Sequence, residues 1–106
     1  MLSAYQVVLN AKEGKAKELK ELLNELVEFS VEFSGCQKFE LYQLNEQREE
    51  FFIIEMFKSE KKQKAYIDSQ EYKALELKVN DFCDFIGRNE LKLTQCLTKL
   101  GLKKAN

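Results

Sequence analysis

The chain has 106 residues, with 17 basic and 18 acidic side chains and a formal net charge of −1. This length predicts a single domain over residues 1–106. Proteins that bind nucleic acid usually concentrate a basic excess, and here only the run KSEKKQK (58–64) is lysine-rich, so no nucleic-acid partner is expected. We see neither an apolar run of membrane-spanning length nor an export signal, which predicts a cytoplasmic protein without a membrane partner.

Several residue types needed for common active sites are missing from the chain. It contains no histidine, which excludes Ser-His-Asp and Cys-His catalysis and histidine-ligated metals or haem. Tryptophan is also absent. Three cysteines, Cys36, Cys83 and Cys96, form no CxxC pair. We therefore expect reduced thiols and no metal site.

The first half of the chain predicts a strand, a helix and a hairpin. Residues 4–11 are rich in strand formers, and Gly14 follows them. Over residues 15–34, apolar side chains recur at three- and four-residue steps, which predicts a helix that Gly35 ends. Strands are expected over residues 36–44 and 51–57, joined by the polar loop NEQREE.

The second half predicts more helix and a last strand. Ser59 and the Asp68-Ser69 pair are suitable N-caps, so we expect a short helix and then a longer one that reaches Ile86 and ends at Gly87. The buried stripe of the longer helix is expected to consist of Tyr72, Leu75, Val79, Phe82, Cys83 and Ile86. Alternation over residues 90–99 predicts the final strand. The element order is that of the α+β, ferredoxin-like split βαβ fold, in which helices cover one face of a four-stranded antiparallel sheet.

The third strand, FFIIEMF, is apolar on both of its faces. Because helices can cover one face of the sheet only, Phe52, Ile54 and Met56 would meet water in a monomer. The simplest cover is a second copy of the same sheet related by two-fold symmetry. We therefore expect a homodimer with these three side chains in its interface.

Three motifs follow one another along the chain: Gly14 in AKEGKAKEL, the step GCQKFELYQ, and EMF (55–57) at the end of the third strand. In their order and spacing the sequence resembles the antibiotic biosynthesis monooxygenase family of small dimeric α+β barrel proteins, which includes quinol monooxygenases and has Glu-x-Trp at the last motif. Phe57 thus replaces the family's tryptophan, and Tyr66 stands where a histidine is usual. Tyr72 matches a later aromatic residue of the same helical region.

The resemblance implies a cofactor-free oxygenase rather than a haem-degrading enzyme. The haem-degrading branch relies on an asparagine, a tryptophan and a histidine, whereas Val7 occupies the asparagine position and the other two residue types are absent. We therefore expect no cofactor and a small aromatic or quinol-like ligand. The alternatives are a non-catalytic dimeric barrel that binds a small apolar ligand and a purely structural dimer with a filled core.

Glu55 is the strongest catalytic candidate, because a carboxylate within an apolar strand is costly unless it is paired or neutral. Burial would raise its pKa, which suits a general base that deprotonates a phenol or quinol. Alternatively, Glu55 accepts a hydrogen bond from Tyr66, another tyrosine or a lysine and only fixes the core. Tyr66 is the second catalytic candidate. The predicted substrate pocket comprises Val7, Ile53, Phe57 and Tyr72.

Overall fold

The computed structural model of the protein describes residues 2–91. Its elements are β1 (Ser3–Ala11), α1 (Ala16–Val31), β2 (Cys36–Gln43), β3 (Glu50–Phe57), α2 (Glu60–Asp68), α3 (Gln70–Asp81) and β4 (Cys83–Leu91). The strands form one antiparallel sheet in the order β2-β3-β1-β4. This order and the position of the helices confirm the predicted ferredoxin-like α+β fold.

Side-chain caps fix the starts of the second and third helices, as predicted. The hydroxyl of Ser59 accepts a hydrogen bond from the backbone N–H of Lys62, and that of Ser69 accepts one from Tyr72. Each cap satisfies an N–H group that has no partner within the helix. The chain therefore breaks its helical region at Ser69, and the two helices can take different directions over the sheet.

The prediction that the longer helix reaches Ile86 and ends at Gly87 is wrong. Helix α3 ends at Asp81, and β4 begins at Cys83. Ile86 pairs with Leu9 of β1, and Gly87 pairs with Val8. The apolar spacing of this segment fits a helix and a strand equally well, and pairing with β1 at eight positions satisfies the backbone groups along one edge of β4.

Other boundaries shift by smaller amounts. Helix α1 ends at Val31 instead of residue 34, and β2 ends at Gln43. The predicted last strand over residues 90–99 is wrong at its start, because β4 begins seven residues earlier, at Cys83. Its remainder, residues 92–99, lies outside the described residues.

The core lies between the sheet and the helices. On β3, the side chains of Phe51, Ile53, Glu55 and Phe57 are buried on the helix side. Leu19, Leu23 and Leu26 of α1 pack against this side of the sheet. Glu55 is thus a carboxylate placed within the apolar layer.

The opposite face of the sheet carries Phe52, Ile54 and Met56, which are half-buried by their neighbours in the sheet. Tyr42 stacks on Phe52 with ring centroids 5.0 Å apart, and Phe85 of β4 is 54% exposed. This face, called the open face below, has no helix over it among the described residues. Its coverage by a second copy stays a prediction.

Candidate functional site

A pocket of about 130 Å³ opens between the sheet and helices α1 and α3. Its lining consists of Val7, Leu9, Leu26, Ile53, Tyr72, Glu76, Val79, Asn80, Ile86 and Arg88. Six of these side chains are aliphatic, whereas the polar ones come from α3 and β4. The pocket therefore combines an apolar interior with a polar end, as small-molecule sites commonly do.

Arg88 links this pocket to the buried carboxylate. Its Nη2 donates a hydrogen bond to Oε1 of Glu55 over 3.0 Å, and its guanidinium lies 4.8 Å from the centroid of the Tyr5 ring. The Glu55 side chain is 3% exposed and that of Arg88 is 35% exposed. Glu55 does not itself line the pocket, so Arg88 connects it to that space.

Burial raises the pKa of Glu55 above its ordinary value of 4.5, and the charge and hydrogen bond of Arg88 offset part of this rise. The Gln63 amide also lowers the pKa of Glu55, although Oε2 of Glu55 and Nε2 of Gln63 each lack a partner with hydrogen-bond geometry. Gln63 is held by Ser3, whose hydroxyl donates to its Oε1. One carboxylate oxygen is therefore paired with Arg88, whereas the other is buried near the Gln63 amide without a well-formed hydrogen bond.

Tyr72 places a hydroxyl at the polar end of the pocket. Its Oη donates to Oε2 of Glu76 over 3.2 Å. Burial raises the pKa of Tyr72 to about 12, so the phenol is protonated at neutral pH. It can therefore donate a hydrogen bond but not act as a base at that pH.

Tyr66 and Phe57 lie in the core behind the pocket. Tyr66 is 1% exposed, and its hydroxyl is 2.6 Å from Oγ of Ser30. Phe57 is fully buried against the Tyr66 ring, with centroids 4.8 Å apart, and Tyr72 contacts Tyr66 at the same distance. Burial raises the pKa of Tyr66, which keeps its phenol neutral.

The structure thus brings together some of the predicted site residues and separates others. Val7, Ile53 and Tyr72 line the pocket, whereas Phe57 does not. The partners predicted for Glu55, namely Tyr66, another tyrosine or a lysine, are wrong, because the carboxylate pairs with Arg88 and Tyr66 bonds to Ser30.

Sequence reasoning missed Arg88, Glu76 and Asn80. Arg88 was overlooked because its segment was placed just after a helix instead of on an edge strand. Its side chain shares the helix-facing side of the sheet with Ile86, because the two residues pair with Val7 and Leu9 of β1. Alternation counted from Cys83 would have put both on the opposite face, because the register shifts between Asn10 and Ala11. The i, i+4 spacing of Tyr72, Glu76 and Asn80 also puts these three on one face of α3.

Three further properties of the described residues concern metal ligands, helix length and the cysteine thiols. No cluster of three or more potential metal-ligating acidic, cysteine or histidine side chains occurs in residues 2–91. In the same range, no helix has the length and apolarity needed to cross a membrane. Burial raises the pKa of Cys36 and Cys83, the latter to about 11, so both are protonated thiols at neutral pH.

The fold matches solved structures at low sequence identity. Rv0793 from Mycobacterium tuberculosis superimposes with a TM-score of 0.84 at 15% identity, covering 92% of this chain and 99% of that one. A conserved protein from Methanosarcina mazei gives 0.80 at 22% identity, with 87% and 92% covered. SnoaB from Streptomyces nogalater, a cofactor-independent oxygenase solved as a mutant, gives 0.82 at 8% identity, with 91% and 96% covered.

Sequence comparison gives the family directly. No curated protein matches the chain significantly. The family described as antibiotic biosynthesis monooxygenase matches residues 4–76, which run from β1 into α3 and include Glu55, Tyr66 and Tyr72. Since this match spans more than half of the sequence and the fold agrees with it, the chain belongs to the antibiotic biosynthesis monooxygenase family.

Proposed function

We propose that the protein is a cofactor-independent monooxygenase that oxidises a small aromatic, phenolic or quinol compound with molecular oxygen. The observation that carries this proposal is the apolar pocket whose polar end meets Arg88 and, behind it, the buried Glu55. An aromatic ring fits the apolar interior, and a hydroxyl group on that ring fits the polar end. Family membership and the cofactor-independent oxygenase SnoaB among the structural neighbours support the same reaction class.

In the proposed reaction the substrate itself supplies the electrons. Loss of the hydroxyl proton gives an electron-rich anion that reacts with oxygen. One oxygen atom enters the ring and the other leaves as water, which takes up the ring hydrogen and the hydroxyl proton. The protein has to bind, orient and deprotonate the substrate and to stabilise its anion.

Glu55 is the proposed proton acceptor. Its raised pKa makes the carboxylate a stronger base than an exposed glutamate, and its Oε2 has no hydrogen-bond partner among residues 2–91. Because Arg88 lies between Glu55 and the pocket, we propose that the proton passes through one water molecule. Tyr66 is proposed to act indirectly, by fixing the ring of Tyr72 from behind.

Oxygen uptake with a panel of reduced quinols and naphthols tests this proposal. We expect uptake above autoxidation by the wild type and at least a tenfold loss in Glu55→Gln, since general-base catalysis typically contributes about 10²–10⁴-fold. If Glu55→Gln leaves the oxygen uptake unaffected, the protein is an oxygenase in which Glu55 is not the base. No uptake with any compound would favour the second candidate function.

That second candidate is a non-catalytic dimeric barrel that binds a small apolar ligand. It is favoured by the positions of Phe57 and Tyr66, which replace the family's usual tryptophan and histidine and are both buried behind the pocket. Ligand binding without oxygen uptake would identify it. The open pocket supports either binding function over a structural dimer with a filled core.

We also propose that the protein is a homodimer whose open faces pack together. Phe52, Ile54 and Met56 project there from β3, beside Val8 of β1. Gln6, Lys38 and Glu40 lie on the same face, so the apolar patch is rimmed by polar side chains, as at many protein–protein interfaces. Two-fold packing would cover it on both copies at once.

A further inference from the structure

We propose that Arg88 binds the ionised oxygen of the substrate, so that the pocket selects aromatic compounds with an acidic hydroxyl in their anionic form. Glu55 is then also a positioning residue, which holds the guanidinium at the end of the pocket. This inference rests on the proposed function for the location of the substrate. It does not require the protein to react with oxygen.

The first support is the number of donors that Arg88 offers. A guanidinium carries five N–H groups, and within residues 2–91 Arg88 makes one side-chain hydrogen bond, from Nη2 to Glu55. Arg88 also lines the pocket, so other donors are available to a ligand there. Planar N–H pairs suit an anionic oxygen better than a neutral group.

The second support is that the guanidinium is held in place on two sides. Glu55 binds it from β3 and the Tyr5 ring stacks against it from β1, at 4.8 Å. An arginine fixed in this way loses less conformational entropy when it binds a ligand than a free one would.

Two carboxylates determine how strongly the pocket is expected to prefer an anionic ligand over a neutral one. Glu55 neutralises Arg88, and Glu76 stands at the pocket, where it is exposed and therefore screened by water and salt. A bound anion consequently meets a nearly neutral ion pair with directed N–H donors. We therefore expect a clear but moderate preference for the anion in the wild type and a stronger one once Glu55 is neutral.

Binding of 4-nitrophenol and of nitrobenzene compares an ionisable ligand with a neutral one of similar shape. The absorbance of nitrophenol distinguishes its phenol and phenolate forms, so one titration gives its affinity and its apparent pKa when bound. We expect the wild type to lower that ligand pKa and to bind the phenolate at least about tenfold more tightly than nitrobenzene, as for a hydrogen bond to a charged group.

Matched variants assign the effect to Arg88. Arg88→Met should abolish the phenolate preference by weakening phenolate binding far more than nitrobenzene binding. Arg88→Lys should restore part of this preference, and Glu55→Gln should strengthen it. If Arg88→Met does not fold, the double variant Glu55→Gln/Arg88→Met removes both charges and leaves no buried carboxylate unpaired.

The inference is overturned if phenolate and nitrobenzene bind equally to the wild type, if the double variant retains the preference, or if neither compound binds. These results are independent of turnover. If the protein binds phenolate but takes up no oxygen, the proposed oxygenase activity is wrong and the proposed role of Arg88 still holds.

Discussion

The pairing of Glu55 with Arg88 combines a fully buried anion with a cation that still reaches solvent. The carboxylate is deprived of water, and burial raises its pKa more than Arg88 lowers it. Removing either partner therefore has a different effect on stability. Without Arg88 a charged carboxylate is left buried, whereas without the charge on Glu55 a half-exposed guanidinium remains that water can solvate. We expect the first change to be the more destabilising.

The variant Arg88→Met should lose about 1–3 kcal/mol of the free energy of unfolding at neutral pH, because Glu55 then lacks a partner. Since the pKa of Glu55 is raised in the folded state, its protonated form is favoured there, and stability falls as the pH rises from 4.5 through the raised pKa. Arg88→Met raises that pKa further. Urea denaturation should therefore show a larger difference from wild type at neutral pH than at about pH 4.

The variant Glu55→Gln is the control, because its side chain does not titrate. It should remove this part of the pH dependence in both the wild-type and the Arg88→Met background. An equal loss of stability at acid and neutral pH in Arg88→Met would contradict the account of a desolvated carboxylate.

Tyr66→Phe should destabilise the protein by about 1–2 kcal/mol, because it leaves the fully buried hydroxyl of Ser30 without its partner. Replacing both partners, in Ser30→Ala/Tyr66→Phe, should recover part of the loss. Urea denaturation of the three variants measures this. A double variant that loses the sum of both single effects would argue against the bond as the cause.

At the scale of elements, the turn from α1 into β2 depends on Gly35 more than the turn before α1 depends on Gly14. Both glycines have positive φ, at 91° and 77°. A Cβ at Gly35 would lie 2.6 Å from Cβ of Lys62 on α2, whereas one at Gly14 would meet nothing within 4 Å. Position 35 therefore combines a backbone requirement with a close helix contact.

Gly14→Ala should cost about 1–2 kcal/mol for the left-handed backbone alone. Gly35→Ala should lower the free energy of unfolding by the same amount and by a further ~1–3 kcal/mol. The added methyl group would clash with Cβ of Lys62, which can move only together with helix α2. Chemical denaturation compares the two variants under the same conditions. Equal losses would show that the contact with α2 relaxes freely.

The sequence predicts the elements best where one periodicity fits and the ends carry their own signals. Ser59 and Ser69 marked both helix starts, and Gly35 marked the turn into β2. Residues 82–91 could not be assigned in this way, because their apolar spacing fits two structures and pairing with β1 decides between them. Arg88 was missed because the strand that carries it was not predicted at this position. Glu55 was identified because a carboxylate within an apolar strand stands out in the sequence even when its partner is unknown.

At the scale of the whole molecule, the open face predicts the oligomeric state. Met56→Asp would place a charge within the proposed interface and should yield monomers or aggregates. Leu77→Asp is the matched control, because Leu77 is 68% exposed on α3, away from the open face. Light scattering of both variants measures the mass. An unchanged dimer in Met56→Asp, or a wild-type monomer, would remove the explanation for the apolar open face.

The most direct test of the proposed oxygenase follows the oxygen atoms during turnover under isotopically labelled oxygen gas. Using a quinol or naphthol that the wild type consumes, mass spectrometry of the product counts the labelled atoms. We predict one labelled oxygen in each product molecule and loss of this labelling reaction in Glu55→Gln. Consumption of the compound without label in the product, or no consumption of any compound above autoxidation, would contradict the proposed function.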